Sequence, residues 1–429
     1  MPNKFTEYIL KNGMRVIVAP KKGTQAMTAL VFVTVGSRYE PERTAGISHF
    51  LEHMCFKGTK KRPTAKIIAR TLDGIGADYN AYTNKEYTGY YIKADARHTD
   101  LALDMLSDVY YNSVFDAKEI EREKGPVCQE IKMYEDNPLR SIYDWFEHSL
   151  FGGHTLGRDV AGSIKTVRAL TRDDVVAWHN QYYHAVNTTI VLAGCVVPGA
   201  LQMIKRYFKK ERSGAHKELV PFTVDAQPST LVSLKQKKMD QVQVMLGFPG
   251  YQHDHKDNAP LIVLQTILGA GMSSRLFTEV RERRGLAYLV RSGFDQYIET
   301  GSLYVHAGVD KEKVSELLRV VMNELHKLKT KSVSAQELQE AKEQWRGKMV
   351  LASEDSSWQA QWYAEQVFLE HFHTPDHFLR LIQNVTAVDI KRVARDIIHW
   401  DRLRIAIIGP TMNIKILEKQ ARAYLKHLH

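Results

Sequence analysis

The sequence has few cysteines, and they are far apart. Its 429 residues include only Cys55, Cys128 and Cys195. An odd count at this spacing excludes a scaffold stapled by disulfides, and a reducing compartment is the simpler setting. A small buried thiol explains each cysteine, and a redox role is the alternative.

Long apolar runs are absent as well. No stretch of about 18 consecutive apolar residues occurs, so we expect no membrane-spanning helix. Residues 1–11 lack the apolar core of a signal peptide. Together with the reducing setting that the cysteines indicate, this leads us to expect a cytoplasmic protein, and a removed leader is the alternative. The apolar fraction of 44% is ordinary, and the 13 prolines and 26 glycines form no low-complexity tract. The chain is thus expected to fold, and it is long enough for two domains that each have a core.

A recognised nucleic-acid-binding module is also missing, although the net charge of +10 raises that question. The basic residues are scattered along the chain, and the runs 57–62 and 235–238 are interpreted as solvated charge. We expect no nucleic-acid partner. Attraction to acidic peptides is an alternative that net charge cannot decide, because net charge does not report the sign of the charge inside a cleft.

The chemistry of the chain is concentrated in one short segment, Ser48–Met54. His49 and His53 are four residues apart, and Glu52 directly precedes the second histidine. Residues i and i+4 lie on one face of a helix, so both imidazoles can bind one metal ion while Glu52 faces a water molecule on it. This H-x-x-E-H order inverts the H-E-x-x-H zinc signature. For an isolated pair, two packed histidines without a metal are the alternative.

A helix over this segment is predicted from its flanks and its apolar residues. We expect Thr44 to cap the helix, since a threonine side chain can accept a hydrogen bond from the first free N–H groups. The apolar positions available for packing are Ile47, Phe50, Leu51 and Met54.

Catalytic zinc usually has three protein ligands and one open position, so a third ligand must come from elsewhere in the chain. The best candidate is Glu130, which follows His53 by 77 residues. With the flanking segments His53–Thr59 and Glu130–Pro138, this arrangement resembles the M16 (pitrilysin-like) zinc peptidases. The resemblance is to the short-chain branch, which includes mitochondrial processing peptidase and its bacterial homologues, and it spans nearly the whole chain.

The resemblance assigns roles to these residues. It implies one zinc ion per chain, bound by His49, His53 and Glu130. It implies that Glu52 takes a proton from water and later passes it to the leaving amine. It also implies that Glu123 orients one of the ligands, with an exposed charge as the alternative.

The segment between the two distant glutamates departs from the family pattern. Gly125 and Pro126 stand where apolar helix formers are usual. Because proline removes a helical hydrogen bond and clashes with the preceding turn, we expect the helix to kink or to restart at Pro126. Either outcome keeps Glu130 in place but leaves the position of Glu123 open.

The resemblance also implies where a substrate binds. Asn80 and Ala81 match an edge strand beside the zinc, to which an extended peptide adds through backbone hydrogen bonds. An ordinary amphipathic strand is the alternative. In the second half, Arg281 and Tyr288 match an arginine–tyrosine pair that reaches the substrate across a closed chamber, where the tyrosine helps to stabilise the oxyanion. A surface arginine and a half-buried tyrosine are the alternative.

The two halves of the chain repeat one pattern. Leu170–Asp174 followed by Thr189–Gly194 is echoed by Val385–Asp389 followed by Arg404–Gly409. We therefore predict two divergent copies of one α+β unit.

The boundaries follow from this repeat. The first copy, residues 1–215, carries the zinc, residues 216–230 form a polar linker, and the second copy, residues 231–429, binds no zinc. The resemblance implies two homologous α/β-sandwich halves of the LuxS/MPP-like metallohydrolase type, each a mainly antiparallel sheet with helices packed on it.

The function implied by the resemblance is a zinc-dependent endopeptidase for unfolded peptides and oligopeptides. Each chain would form half of a clamshell chamber that a partner chain completes. We expect a homodimer, because one sequence carries both the zinc motif and the Arg281–Tyr288 pair; a heterodimer with a related M16 chain is the alternative. The competing function is a non-catalytic structural or partner subunit of an M16-type complex.

Overall fold

A computed structural model describes residues 5–210, 222 and 230–428 of the chain. Its strands, in chain order, are β1 (Thr6–Ile9), β2 (Arg15–Pro20), β3 (Ala26–Val33), β4 (Asp78–Thr83), β5 (Thr88–Asp95), β6 (Thr188–Gly194), β7 (Val232–Gln236), β8 (Val242–Gly250), β9 (Ala287–Gln296), β10 (Gly301–Val309) and β11 (Arg404–Gly409). Its α-helices are α1 (Ile47–Cys55), α2 (Ala65–Asp73), α3 (Thr99–Asn112), α4 (Ala117–Asp136), α5 (Pro138–Phe151), α6 (Ile164–Ala169), α7 (Arg172–Tyr182), α8 (Ala200–Tyr207), α9 (Asn258–Gly269), α10 (Val314–Thr330), α11 (Ala335–Ala352), α12 (Ser356–Glu365), α13 (Pro375–Asn384), α14 (Ala387–Ile397) and α15 (Ile414–Lys426).

Each half of the fold is built around one mixed sheet. The strand order is β1-β2-β6-β3-β5-β4 in the first sheet and β7-β11-β8-β10-β9 in the second. In each sheet one pair is parallel, β2 with β6 and β7 with β11, and the other pairs are antiparallel. The shared order and directions confirm the predicted α+β fold with two homologous, mainly antiparallel halves.

The central strand β3 of the first sheet is buried on both faces. Along β3, Ala29 and Val31 pack into the core that includes α1 and α3, while Leu30 and Phe32 pack into a smaller core that includes α12. Successive side chains of a strand point to opposite faces, so a strand covered on both sides is mostly apolar. This explains the unbroken apolar run from Ala29 to Val33 in β3.

Each of the two compact units contains one helix from the other half of the sequence. One unit comprises Met1–Met133, Arg158–Val220 and Val350–Pro375, and the other comprises Tyr134–Gly157, Pro221–Met349 and Asp376–His429. Helix α5, from the first half of the sequence, packs on β8 and β11 in the second unit, whereas α12 packs on β2, β3 and β6 in the first.

The sequence repeat does not reveal this exchange, because an apolar helix face does not specify which sheet it covers.

The predicted linker at 216–230 lies almost entirely outside the described residues. None of the helices in the described part of the chain combines the length and the apolar character that a membrane span requires.

A buried histidine on β10 links three elements of the second unit. The Nδ1 of His306 lies 3.2 Å from the Tyr143 hydroxyl, and its Nε2 lies 3.0 Å from Oε1 of Gln243. Because the amide oxygen of Gln243 only accepts, Nε2 carries the hydrogen and Nδ1 accepts from Tyr143. This is the neutral ring, and burial, assisted by the charge of Arg291, lowers the pKa of His306 to about 4.

We expect His306 to make folding stability depend on pH. Its pKa of about 4 in the folded chain lies below the ordinary 6.5, so the unfolded chain binds the proton more readily between these values. The free energy of unfolding should therefore fall as the pH falls from 7 to 4.5, by about 2–3 kcal/mol from this group. Urea unfolding of wild type and His306→Gln at both pH values measures the effect. A wild-type-minus-variant difference that does not change with pH would contradict it.

Candidate metal centre

The helix α1, which carries both motif histidines, begins after Gly46. Thr44 ends a short 3-10 turn, and Gly46 takes a left-handed conformation with φ of 95°. Only glycine fits there, because a Cβ atom would lie 2.4 Å from the carbonyl oxygen of Ala161. The expectation that Thr44 caps the helix is therefore wrong, since this turn of the backbone separates Thr44 from the first helical residue.

A carboxylate from outside the helix provides the cap instead. Glu40 is 3% exposed and accepts hydrogen bonds from the backbone N–H groups of Gly46, at 2.6 Å, and Ser48, at 2.8 Å. A negative charge at the first turn also complements the helix dipole. Burial raises the pKa of Glu40 to about 7, and the two N–H groups oppose that rise. Sequence patterns did not reveal this residue, because it lies well before the helix and shares no periodicity with it.

We expect Glu40→Gln to destabilise the fold. An amide offers one acceptor oxygen, so one of the two buried N–H groups of α1 would face an NH₂ group and lose its partner. The expected loss is about 1–3 kcal/mol in the free energy of unfolding, measured by urea titration. Glu42→Gln, an exposed neighbour, is the matched control and should change stability by less than about 0.5 kcal/mol. Equal effects of the two substitutions would contradict the role of Glu40.

The three predicted ligands converge on one point. The rings of His49 and His53 lie edge to face with centroids 4.7 Å apart. Glu130, on α4, places Oε1 3.6 Å from Nε2 of His49 and Oε2 3.3 Å from Nε2 of His53. The ligand atoms of the three residues all lie within 4.8 Å of one another.

These distances fit a tetrahedral metal ion. Zinc binds nitrogen and oxygen ligands at about 2.0–2.2 Å, which separates two ligands of one ion by roughly 3.4 Å. Two imidazoles and one carboxylate are also a donor set typical of catalytic zinc. Within the described ranges, no other group of three or more His, Cys, Asp or Glu side chains meets the same distance criterion. The residues present therefore fit the zinc ion that the sequence predicted.

Glu123 lies behind His53, where it can orient the ring. Its Oε1 is 3.0 Å from Nδ1 of His53, and its Oε2 forms an ion pair of 2.5 Å with Nζ of Lys57. Burial raises the pKa of Glu123, but the bonds from His53 and Lys57 outweigh it and hold the pKa below its ordinary value. The ionised carboxylate accepts the Nδ1–H of His53 and leaves the Nε2 lone pair for a metal. Lys57 was not predicted as part of this arrangement.

The helix that carries both glutamates is continuous. Helix α4 contains Pro126 without interruption, so the expected restart there is wrong. The hydrogen bond that proline removes would have ended at the carbonyl of Arg122, and both residues are exposed, so water can replace it. Glu123 and Glu130 consequently stay two turns apart on the face that meets α1.

Glu52 lies beside the ligands without being one of them. Its Oε2 accepts a hydrogen bond of 2.5 Å from the Thr83 hydroxyl at the end of β4. Burial raises the pKa of Glu52, while Thr83 and the two histidines act against the rise. A raised pKa means that the Glu52 carboxyl holds a proton more readily than an ordinary glutamate does, as a group that takes up and later releases a proton requires.

Asn80 and Ala81 lie on β4, the last strand of the described sheet. Asn80 is exposed and Ala81 is buried. The backbone N–H of Ala81 donates to Oδ1 of Asn80 at 2.9 Å, so the amide side chain covers one backbone donor. The side of β4 that faces away from β5 thus lies at an edge, as an added strand would require.

Arg281 and Tyr288 lie together in the second unit. Arg281 is in a π-helical turn, Phe277–Glu282, and its guanidinium carbon lies 4.4 Å from the centroid of the Tyr288 ring. Its Nη1 also donates to the Tyr288 carbonyl at 3.3 Å. Tyr288 as a whole residue is 78% exposed, which is unusual for an aromatic residue on a strand. The structure therefore forms the predicted pair and presents its ring at the surface of that unit.

The cysteines beside the motif are buried. Cys55 and Cys128 are both free, and burial raises the pKa of Cys55 to about 12. A thiol in this state is not a reactive thiolate, which favours a packing role over redox chemistry for Cys55.

Two imidazoles and a carboxylate around one point, with a further carboxylate beside them, define the centre of a metal-dependent hydrolase. Comparison with known proteins gives the family. Residues 15–163 match the model described as "Insulinase (Peptidase family M16)", and residues 169–345 match "Peptidase M16 inactive domain".

Relatives cover almost the full chain. The "Uncharacterized zinc protease YmxG" of Bacillus subtilis is 33% identical over an alignment 413 residues long, which covers 95% of this chain and 98% of that protein. Among solved structures, a protease from Helicobacter pylori superposes with a TM-score of 0.90 at 23% identity, covering 96% of this chain and all of the other. A chain of "Complex III2 from Candida albicans, Inz-5 bound" gives a TM-score of 0.82 at 16% identity, covering 97% and 99%.

The chain belongs to the M16 peptidase family. This confirms the resemblance inferred from the motif and its flanks, and it confirms the predicted enzyme class, a metallopeptidase with the inverted zinc motif. The two solved structures are less than 25% identical, so they support the fold alone.

Proposed function

We propose that this protein is a zinc-dependent endopeptidase that cleaves unfolded peptides. The observation that carries the proposal is the convergence of His49, His53 and Glu130, with the carboxyl group of Glu52 beside them and outside the ligand set. A bound zinc ion would supply a Lewis acid that polarises the scissile carbonyl and makes water easier to deprotonate.

The remaining chemistry belongs to the side chains. Glu52 accepts a proton from the attacking water while the new carbon–oxygen bond forms. It then delivers that proton to the amine as the carbon–nitrogen bond breaks. Glu123 and Lys57 keep the His53 ring in the tautomer that presents Nε2 to the centre.

We propose that the substrate adds to β4 as an extended strand. The edge position of this strand supports the proposal, because backbone groups that have no neighbouring strand can pair with a peptide. The N–H of Ala81 would exchange its hydrogen bond with Asn80 for one with the peptide. This binding mode selects extended peptide segments through their backbone groups and not through their side chains.

An apolar pocket beside β4 would give the cleavage its side-chain preference. It has a volume of about 240 Å³ and is lined by Phe56, Ala65, Ile68, Ala69, Tyr79 and Asn80. The lining carries no charge, so we propose that it accepts a large apolar side chain of the peptide.

We also propose a dimer in which each chain supplies half of a closed chamber. The support is chemical, because one sequence carries both the zinc ligands and the exposed Tyr288 beside Arg281. In a homodimer this pair of one subunit would stabilise the oxyanion at the zinc of the other. A heterodimer with a related M16 chain is the alternative. We place the protein in the cytoplasm, which suits its three free cysteines.

Assembly without catalysis is the second candidate function. The fold is compatible with it, since a chain of Complex III2 shares that fold, and the likeness shows nothing beyond the fold. The complete set of converging ligands argues for the peptidase.

The test is an assay with purified protein and quenched fluorescent peptides of various lengths. We expect cleavage that a chelator abolishes and added zinc restores, with no cleavage of a stably folded protein. Cleavage that a chelator does not affect, or no cleavage by zinc-loaded protein, would overturn the proposal.

A further inference from the structure

One hydrogen bond joins Glu52, the general base of the proposed reaction, to β4, the strand proposed to bind the substrate. Glu52 projects from α1, and Thr83 is the last residue of β4. The Thr83 hydroxyl donates to Oε2 of Glu52 at 2.5 Å. We propose that Thr83 is a positioning residue that holds the Glu52 carboxylate in the orientation for proton transfer. The inference rests on the peptidase function proposed above.

The bond from Thr83 gives the two carboxylate oxygens of Glu52 different roles. Oε2 is occupied by Thr83, whereas Oε1 of Glu52 has no hydrogen-bond donor among the described residues. Oε1 is therefore the atom that takes the proton from water. A free glutamate side chain samples several rotamers. Because the bond from Thr83 fixes one rotamer before the reaction, the entropy lost in ordering the side chain does not add to the activation barrier.

The donor on Glu52 carries no charge. A threonine hydroxyl can hold Oε2 without changing the net charge of a centre that already contains the carboxyl groups of Glu123 and Glu130. A lysine or arginine in its place would add a positive charge beside the metal ligands.

The position of Thr83 is itself fixed by the fold. It pairs in register with Thr88 across the β4–β5 hairpin, and the hairpin is closed by a bond from Asn84 N–H to the Tyr87 carbonyl. Thr88 in turn donates to the Val35 carbonyl at 2.9 Å. A β-branched side chain at such a site has few χ1 choices, so its hydroxyl is a rigid anchor.

The same strand also carries Asn80 and Ala81, where the peptide is proposed to bind. The strand segment from Ala81 to Thr83 therefore fixes the distance between the bound peptide and Glu52. A substrate that pairs with β4 thus meets a base that the same strand has already oriented.

The test compares Thr83→Val, which keeps the shape and removes the donor, with Thr83→Ser, which keeps the donor. For Thr83→Val we expect kcat to fall by about 10- to 100-fold. KM and zinc affinity should stay within about twofold, because Thr83 bonds to the base and to no metal ligand. Thr83→Ser should recover kcat to within about threefold of wild type. In a Glu52→Gln background, Thr83→Val should add less than about twofold, because the base it positions is gone.

Several results would overturn the inference. They are an unchanged kcat in Thr83→Val, an equal loss in Thr83→Ser, and a loss confined to KM or to zinc binding. The activity of the wild-type protein distinguishes a failure of this inference from a failure of the proposed function. If zinc-loaded wild type shows no chelator-sensitive cleavage, the peptidase proposal fails and the role of Thr83 fails with it. If wild type is active and Thr83→Val matches it, only the role of Thr83 fails.

Discussion

Replacing Glu52 with glutamine is expected to abolish peptide turnover while zinc stays bound. Glutamine has the size of glutamate and can still accept the bond from the Thr83 hydroxyl, but it cannot take a proton from water. Glu52 is outside the group His49, His53 and Glu130, so the metal should keep its ligands. Loss of a general base lowers kcat by about 10²- to 10⁴-fold.

The measurement pairs the fluorescent peptide assay with the zinc content of each protein, determined by mass spectrometry. Glu121→Gln is the matched control, because its side chain is 69% exposed and pairs only with Lys124 in the described ion pairs. We expect Glu121→Gln to keep wild-type kcat and zinc. Full turnover by a zinc-loaded Glu52→Gln protein would remove Glu52 from the mechanism.

Zinc affinity should fall in a graded series along α4. Removing Glu130 deletes a ligand, and structural zinc sites gain about 10–16 kcal/mol from four ligands, so Glu130→Ala should weaken binding by roughly 10²- to 10³-fold or more. Glu123→Gln keeps every ligand but loses the charged acceptor behind His53, and losses of about 10- to 100-fold are typical of such changes. Glu121→Gln should bind zinc as wild type does.

Competition with a chromophoric chelator gives these dissociation constants on one scale. The three substitutions all lie on α4. If Glu121→Gln binds zinc normally, a loss in the other two variants is due to the residue replaced and not to a general disturbance of the helix. Zinc binding by Glu130→Ala as tight as that of Glu121→Gln would exclude Glu130 as a ligand. A loss in Glu123→Gln larger than that in Glu130→Ala would mean that the two roles are reversed.

The parts of the centre that could be predicted from sequence obey local geometry or a family pattern. His49 and His53 share a helix face because of their spacing, whatever the rest of the fold does. Glu130 is too distant in sequence for such an argument, and only the resemblance to the M16 family pointed to it. The repeat of strand and helix signals predicted two similar halves, and the matching strand orders confirm it.

The parts that could not be predicted depend on tertiary packing. Glu40 reaches the start of α1 from a separate loop, so no capping pattern exists within the helix sequence. The effect of Pro126 depends on whether the carbonyl of Arg122 faces water, which packing decides. The exchange of α5 and α12 was hidden for a similar reason, since each helix could have covered either sheet.

The support behind the metal ligands also escaped sequence patterns. Lys57 lies in a segment interpreted as solvated charge, yet its ammonium group pairs with the buried carboxylate of Glu123. The pattern reports only that a lysine follows the motif, and the fold determines that it meets a carboxylate. One basic residue of that run therefore belongs to the centre.

The most direct test of the account is to locate zinc in crystals of the wild-type protein by anomalous diffraction at the zinc absorption edge. We predict one anomalous peak per chain, about 2.0–2.2 Å from Nε2 of His49, Nε2 of His53 and the Glu130 carboxylate. A zinc peak that makes no contact with Glu130, or zinc bound only at some other place in the chain, would contradict the account.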